Sequence, residues 1–246
     1  MHMKNNIIHY ICCFYFGPRQ NKRYSEKLKK DPCYFLDKHI SFLKTCNNDV
    51  KSATFVFNVD DNDPIINLLE KYFSSYVPMD VDVEFCIRKN AGFSYGAWGD
   101  IIQKKLHSNI DYFFIIEDDY LPSCSNFYEP FVSKCSDQHP YVCSKVIGSC
   151  RESNLPHASI SNGLLKKDVC EKVYDVNGRV FDINLGKTYV SAYQNQLFFY
   201  RLFQNLGYGM TDIIDEYKVP FMISDTNKAT IFGNVEKLVL INPIEV

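Results

Sequence analysis

The sequence of 246 residues lacks an apolar run long enough to cross a membrane. Its longest apolar stretch near the N-terminus, Ile7 to Phe16, is interrupted by His9 and is about half as long as a membrane-spanning helix requires. A secretory leader is not indicated either, because Lys4 is the only basic residue of the n-region and no small-x-small cleavage motif follows. We therefore expect no transmembrane segment and a cytoplasmic location.

An excess of positive charge is also missing. Lysine and arginine number 27 against 29 acidic residues, which gives a formal net charge of −2. Domains dedicated to nucleic acids carry a basic surface that neutralises phosphates, so the composition argues against a nucleic-acid partner. The hydrophobic fraction of 46% is typical of a globular chain. Because single cores stop growing near roughly 250 residues, we expect one domain over residues 1–246.

Neither a disulfide scaffold nor a zinc site is favoured. The sequence has ten cysteines but no Cys-x-x-Cys pair, and its six histidines are scattered. Several cysteines lie in apolar runs, where a reduced thiol behaves as a small hydrophobic group. These are Cys12, Cys13, Cys86 and Cys143.

Short apolar runs alternate with helical patterns in the first half of the chain. Four runs rich in β-branched and aromatic residues predict strands, namely Ile7–Phe16, Ala53–Val59, Val81–Ile87 and Tyr112–Ile116. Three helices are predicted between them, each from residues that form one apolar face. The first face is Leu36, His39, Ile40 and Leu43, and the last is Trp98, Ile101, Ile102 and Leu106. The middle helix has Asp63 as its N-cap and Pro64 in its first turn, and its face is Ile65, Leu68, Leu69, Tyr72 and Phe73. This alternation predicts a parallel sheet covered by helices.

The pattern is less regular after about residue 140. Strands are predicted at Tyr141–Ile147 and His157–Leu165, and helices at Lys166–Val173 and Asn195–Leu206. Gly207 is predicted to end the second helix. Short strands and loops are predicted over Lys218–Val246. The whole chain is predicted to be an α/β protein, a Rossmann-type α/β/α sandwich with a mostly parallel central sheet and a mixed C-terminal half. Ligands of such folds bind beyond the carboxyl ends of the strands.

Three carboxylates follow the strand at residues 112–116 without a spacer: Glu117, Asp118 and Asp119. Adjacent carboxylates repel one another unless a cation neutralises them, and hard divalent ions prefer oxygen ligands. Side chains two apart on an extended chain point the same way, which pairs Glu117 with Asp119. The alternative is a solvated acidic turn that only ends the strand.

A glycine-rich segment runs from Arg88 to Asp100 between a strand and a helix. Its glycines permit a ligand to approach the main chain, and the free amides at a helix N-terminus suit phosphate oxygens. The spacing matches neither the dinucleotide fingerprint nor the Walker loop. A turn that serves only helix–sheet packing is the alternative.

The order of these motifs resembles the nucleotide-sugar-dependent glycosyltransferases of the GT-A fold. The resemblance covers roughly residues 7–170 and includes the basic-Asn-x-Gly turn, the Gly-Ala-Trp-x-Asp segment and the Glu-Asp-Asp end of a buried strand. It implies a UDP- or GDP-sugar donor, a glycan or other hydroxyl acceptor, and Mn²⁺ or Mg²⁺ held at the so-called DxD motif. The first half of the chain, about residues 1–120, would then bind the nucleotide-sugar, and the second half, about residues 121–246, would bind the acceptor.

The resemblance also implies roles for individual residues. Glu117 and Asp119 would bind the metal. Residues that would line the nucleotide and its sugar are Phe16, Gly17, Asn58, Asp60, Arg88, Asn90, Gly92, Asp100 and Asp118. Residues expected near the donor sugar or the acceptor are His157, Ser161, Asn162 and Gly163.

One departure from the family concerns the general base. Inverting members usually carry an acidic residue at the start of a late helix, where this sequence has the amides Asn195 and Gln196. An amide cannot accept the acceptor's proton at neutral pH. Either Asp212, Asp215 or Glu216 supplies the base, or the reaction retains configuration. Two other functions stay open, a sugar-phosphate nucleotidyltransferase and a catalytically silent nucleotide-sugar-binding domain.

Overall fold

A computed structural model gives the architecture of the chain. The residues that it describes are 6–15, 33–46, 49–61, 63–118, 120–122, 124–147, 156–158, 162–213 and 221–223. The strands are β1 (Ile8–Tyr15), β2 (Val50–Val59), β3 (Asp82–Lys89), β4 (Tyr112–Glu117), β5 (Tyr120–Pro122), β6 (Tyr141–Cys143), β7 (Val146–Ile147), β8 (His157–Ala158), β9 (Gly163–Lys166), β10 (Met210–Asp212) and β11 (Phe221–Ile223). The helices are α1 (Tyr34–Leu43), α2 (Ile65–Ser75), α3 (Phe93–Lys105), α4 (Glu129–Lys134), α5 (Lys167–Asn177), α6 (Tyr189–Phe198) and α7 (Arg201–Asn205).

Seven strands form one sheet in the order β3-β2-β1-β4-β9-β6-β10. All neighbours in it are parallel except β9, which runs antiparallel to both β4 and β6. Two antiparallel pairs, β5 with β11 and β7 with β8, lie outside this sheet. The predicted α/β class with a mostly parallel central sheet is confirmed, and so is the mixed character of the C-terminal half.

The sheet has a hydrophobic core on each face because its central strands are apolar throughout. Alternate residues of β1 enter opposite cores, with Tyr10, Cys12 and Phe14 in one and Ile11 and Cys13 in the other. Side chains of α1, α2 and α4 cover the first face, and side chains of α3, α5 and α7 cover the second. This is the predicted three-layer sandwich.

The front half agrees with the predicted elements to within a few residues. Helix α2 begins at Ile65, two residues after the predicted N-cap, but Asp63 still accepts a hydrogen bond from the Ile65 amide at 3.0 Å. In the rear half, the strand predicted over residues 141–147 is interrupted and forms β6 and β7, and that over 157–165 forms β8 and β9. Phe221–Ile223 is the part of the predicted tail that lies within the described residues.

The single helix predicted over Asn195–Leu206 is wrong. Two helices, α6 and α7, replace it, and α6 begins six residues earlier, where Thr188 accepts a hydrogen bond from the Ser191 amide at 3.1 Å. The helices separate because the Phe199 carbonyl accepts from the amide of Asp182, outside the helix, at 3.2 Å. Gly207 still follows the second helix, with φ of 86°.

The topology brings the ends of the strands that carry most of the predicted site residues to one edge of the sheet. Carboxyl ends of β1, β2, β3, β4, β6 and β10 meet there, together with the amino end of the antiparallel strand β9. Within the described part of the chain, no helix is both long and apolar enough to span a membrane.

Candidate functional site

The acidic end of β4 lies at the centre of this edge. Glu117 is half-buried, and its Oε1 accepts a hydrogen bond from Ser94 Oγ at 3.0 Å. The Glu117 amide donates to Asn162 Oδ1, just before β9, at 3.2 Å. Helix α3 and the residue that precedes β9 therefore both contact the first residue of the acidic motif.

Asp118 is almost fully buried, and both of its main-chain polar groups are bonded. Its amide donates to the Cys13 carbonyl at 3.0 Å, and its carbonyl accepts from His39 Nε2 at 3.0 Å. These bonds connect the acidic turn to β1 and to α1. The conformation of the turn is therefore set by the core beneath it.

Cys13 lies directly under the acidic residues. Its Sγ accepts a hydrogen bond from Asn58 Nδ2 at 3.1 Å. Burial, together with the negative charges of Asp118 and Glu117, raises the pKa of this thiol well above its usual range. The thiol stays protonated at neutral pH, so Cys13 is not suited to act as a nucleophile.

His39 is fully buried between the acidic turn and the core of the first face. Its Nδ1 lies 2.8 Å from the Tyr10 hydroxyl. Burial lowers the pKa of His39 to about 4, and its hydrogen bond to the Asp118 carbonyl offsets only part of this effect. The imidazole is therefore neutral at pH 7.

Arg88, at the end of β3, organises the turn between β3 and α3. Its Nη1 donates to Asn58 Oδ1 at 2.6 Å, both terminal nitrogens donate to the Ala91 carbonyl at 3.2 Å, and Nη2 pairs with Asp100 at 2.8 Å. Asn58 itself is fully buried, and its Nδ2 also donates to the Phe93 carbonyl at 3.1 Å. Arg88 thus contacts both Asn58 and Asp100, the two other predicted nucleotide residues here, and Arg88 and Asn58 support the turn from inside.

Gly92 is the N-cap of α3 and has a left-handed backbone, with φ of 75°. A Cβ atom there would lie 2.7 Å from Ile183 Cγ2. Two physical constraints therefore require glycine, the positive φ and the close approach of Ile183. The loop before α6 packs directly on the start of α3.

Asn195 explains why the late helix carries an amide. It is buried in the middle of α6, where its Nδ2 donates to the carbonyls of Gly92 at 3.2 Å and Asn184 at 2.9 Å, and its Oδ1 accepts from the Asn184 amide at 2.6 Å. A carboxylate has no hydrogen to donate to those two carbonyls. The residue expected to mark an absent base is instead a buried link between α6 and α3.

Two buried amide groups at the same edge have unused hydrogen-bonding atoms. Among the described side chains, Asn90 Oδ1 and Asn162 Nδ2 are buried without a hydrogen-bond partner. Asn90 follows β3, and Asn162 precedes β9 and contacts Glu117. An unpartnered buried polar atom is costly, so each needs an explanation such as a bound ligand.

Other predicted site residues have contacts that are largely structural. Gly163 lies in β9, where a Cβ atom would stand 2.1 Å from the Val142 carbonyl oxygen, so glycine is required for sheet packing. His157 is buried in β8 and pairs with Ile147. Asp60, after β2, forms an ion pair with Lys187 at 3.2 Å.

Asp212 is the one predicted base within the described residues. It ends β10, and its Oδ2 accepts a hydrogen bond from the Val146 amide at 2.6 Å. Six predicted site residues lie outside the described residues, and they are Phe16, Gly17, Asp119, Ser161, Asp215 and Glu216.

The metal prediction depends on Asp119. No cluster of three or more His, Cys, Asp or Glu side chains that could hold a metal ion occurs within the described ranges. Glu117 does supply a carboxylate and Ser94 a hydroxyl at the predicted position, and such oxygen ligands suit Mg²⁺ and Mn²⁺. The chemistry of these two groups fits a hard divalent ion, and Asp119, the other predicted ligand, lies outside the described residues.

Sequence reasoning missed three contributors to this edge. Ser94 contacts Glu117, Lys187 contacts Asp60, and His39 contacts Asp118. The pattern placed His39 on the buried face of a helix, but it carried no information about the acidic turn. The available signal was a histidine, His39, on the apolar face of a predicted helix, together with a tyrosine, Tyr10, in a predicted strand that could form a hydrogen bond with it.

No protein-family model matches the chain, and no curated protein matches its sequence. Among solved structures, a cytidylyltransferase from Leptospira borgpetersenii is 11% identical, with 84% of this chain and 75% of that chain covered and a TM-score of 0.45. TarS from S. aureus is 10% identical, with coverage of 81% and 56% and a TM-score of 0.46. The glycosyltransferase GlyE of Streptococcus pneumoniae is 10% identical, with coverage of 97% and 54% and a TM-score of 0.43.

The chain thus spans slightly more than half the length of the last two structures. Their identities of 10% and TM-scores below 0.5 are too low to carry a function across.

Proposed function

We propose that the protein is a metal-dependent glycosyltransferase that moves a sugar from a UDP- or GDP-sugar to a hydroxyl group of a glycan or another acceptor. The observation that carries this proposal is the contact between Glu117, at the end of the buried strand β4, and Ser94, in the first turn of α3. It brings the acidic motif and a helix N-terminus to one place. Those are the two features that a nucleoside diphosphate and its counter-ion require.

In this proposal the diphosphate lies between the start of α3 and the acidic turn. A helix leaves its first N–H groups without intrahelical partners, so the first turn of α3 would present amides to phosphate oxygens. The unpartnered Asn162 Nδ2 offers a further donor beside Glu117, and Asn90 Oδ1 offers an acceptor for a hydroxyl. Binding of the donor would satisfy both buried amides.

Glu117 and Asp119 would hold Mn²⁺ or Mg²⁺ in this arrangement. The ion would supply Lewis-acid chemistry, which neutralises the negative charge on the departing nucleoside diphosphate. Asp118 has a different role, since its main chain is bonded to β1 and α1. It fixes the turn from which its two neighbours extend.

During transfer, the bond between the anomeric carbon and the diphosphate oxygen breaks, and a bond from that carbon to the acceptor oxygen forms. The acceptor hydroxyl releases its proton to a base, for which Asp212, Asp215 and Glu216 are the proposed residues if configuration inverts. Asn195 is excluded as a base because both the oxygen and the nitrogen of its side-chain amide form hydrogen bonds within the fold. Alignment of the acceptor with the anomeric carbon provides the remaining catalysis.

A panel of UDP-, GDP- and TDP-sugars tests the proposal. Mn²⁺-dependent hydrolysis of one donor, or its stabilisation of the fold against heat, is expected, and EDTA should abolish either effect. Pyrophosphate released from a nucleoside triphosphate and a sugar phosphate would instead show a nucleotidyltransferase. Metal-dependent binding without hydrolysis or transfer would show a catalytically silent binding domain.

A further inference from the structure

One buried side chain outside the predicted site joins the core to the acidic turn. His39, on α1, is fully buried and contacts Asp118 and Tyr10, which are 79 and 29 positions away in the sequence. Phe14 and Phe55 pack against the imidazole, with ring centroids at 5.7 Å and 6.3 Å. These aromatic neighbours hold the plane of the ring in place.

The partners of the two ring nitrogens fix the tautomer. The main-chain oxygen of Asp118 can only accept a hydrogen bond, so His39 Nε2 must carry the hydrogen at the 3.0 Å contact. In the neutral ring Nδ1 then lacks a hydrogen and accepts from the Tyr10 hydroxyl at 2.8 Å. The chain of bonds therefore runs from Tyr10 through His39 to Asp118.

We infer that His39 is a positioning residue for the acidic motif, which acts by fixing the peptide group that follows Asp118. This inference rests on the proposed function, because it concerns the same donor site. The amide of Asp118 is held by the Cys13 carbonyl, so the residue is bonded on both sides. With both of these main-chain groups bonded, the backbone that follows Glu117 is fixed before any ligand arrives.

Preorganisation of this kind lowers the cost of binding, because the ligating groups need not be ordered when the ligand arrives. His39 itself is fully buried, so it acts through Asp118 and not through direct contact with a ligand. If His39 only filled the core, replacing it would destabilise the fold but would leave donor affinity unchanged. Donor affinity and local opening at Asp118 therefore distinguish the two roles.

His9 provides a matched control. It lies near the other end of β1, is equally buried, and has both ring nitrogens within hydrogen-bond distance of hydroxyls, at 2.6 Å from Ser52 and 2.9 Å from Thr54. His9→Gln and His39→Phe should both destabilise the fold. Only His39→Phe removes the bond to the acidic turn, whereas His39→Gln retains a side-chain N–H for it.

The experiment uses the full chain and three measurements. Nitrogen-15 NMR of the histidine side chains should show a single proton on Nε2 of His39, and Tyr10→Phe should alter that signal. Hydrogen exchange at the Asp118 amide should be faster in His39→Phe than in His9→Gln once both are compared at equal global stability. The dissociation constant of UDP or GDP with Mn²⁺ should rise at least about tenfold in His39→Phe and stay within about threefold of wild type in His39→Gln.

A proton on Nδ1, or equal Asp118 exchange in His39→Phe and His9→Gln, would overturn the inference. Unchanged nucleotide affinity in His39→Phe would do the same. If the wild-type chain binds neither UDP nor GDP with Mn²⁺, the proposed function fails. The tautomer and the exchange at Asp118 then decide separately whether His39 fixes the turn.

Discussion

Asn195 Nδ2 donates a hydrogen bond to the main-chain oxygen of Gly92, which lies 103 positions earlier in the sequence, at a distance of 3.2 Å. This bond joins the middle of α6 to the N-terminus of α3, where Gly92 is the N-cap. The same amide nitrogen also donates to the Asn184 carbonyl. The amide that was expected to mark an absent base thus supports the turn between β3 and α3.

Replacing Asn195 by aspartate should destabilise the protein without creating a base. The substitution removes both donated hydrogen bonds and places a buried carboxylate beside two carbonyl oxygens, which we expect to cost about 3 kcal/mol in the free energy of unfolding. Urea denaturation measures this. Gln194→Glu makes the same amide-to-acid change at the exposed neighbouring position and should stay within about 0.5 kcal/mol of wild type. A stable, more active Asn195→Asp variant would contradict this role.

Gly92→Val should raise the donor dissociation constant at least tenfold, which corresponds to about 1.4 kcal/mol. The added side chain meets Ile183 at the start of α3 and cannot readily adopt the positive φ of Gly92. Calorimetry with the donor identified by the panel measures the effect. Gly178→Val is the matched control, since Gly178 also has a positive φ, of 68°, but nothing lies within 4 Å of its Cβ position. Normal donor binding by Gly92→Val would show that the turn is only structural.

Stability should fall with acid because buried histidines are neutral in the fold. Burial, with a smaller contribution from Lys105, lowers the pKa of His9 from 6.5 to about 3. The unfolded chain therefore takes up a proton that the folded chain does not, as pH falls from 6.5 towards 3. The stability that neutral His9 contributes is complete above pH 6.5 and is lost below it, by up to about 1.4 kcal/mol for each pH unit.

Urea denaturation between pH 7.5 and pH 4.5 checks this dependence. His9→Gln should show a shallower decline than wild type, because it lacks the titrating group. His39 should contribute a second, similar slope, since its pKa is also lowered by burial. Identical pH profiles for wild type and His9→Gln would rule out a role of His9 in acid unfolding.

The general base is tested by three alanine variants, at Asp212, Asp215 and Glu216. If one of them accepts the acceptor's proton, its variant should lose kcat by roughly 10²–10⁴-fold while donor affinity is preserved. Because Asp212 also accepts a hydrogen bond from the Val146 amide, its Asn variant separates loss of the base from loss of that contact. Near-normal kcat in all three alanine variants would exclude these residues, and NMR of the anomeric product would then test a retaining mechanism.

The front of the sheet could be predicted because its signals are local. Strand β1 is buried over nearly its whole length, and its apolar run is visible in the sequence alone. The first part of helix α6 was missed because Val190 and Tyr193 are exposed and break the amphipathic pattern that a buried face produces. The hydrogen bond that separates α6 from α7 comes from Asp182, which no window around the helix contains.

In the candidate site, too, local motifs could be predicted from the sequence and long-range contacts could not. The acidic end of β4 and the turn at Gly92 were predicted, since each is a contiguous motif with a chemical meaning. The bond between Arg88 and Asn58 joins residues 30 positions apart, and that between His39 and Asp118 joins residues 79 positions apart. Such contacts depend on which strands become neighbours, and the sequence pattern does not contain that order.

The central claim, a metal-dependent nucleotide-sugar site at the end of β4, is tested most directly by calorimetric titration of UDP and GDP in the presence of Mn²⁺. Wild type should bind at least one of them only when the metal is present. Asp119→Ala should abolish that binding and keep the wild-type circular dichroism spectrum, and Glu117→Ala should weaken it less if its contact to the ion is through water. Equal nucleotide affinity for wild type and Asp119→Ala would contradict the account.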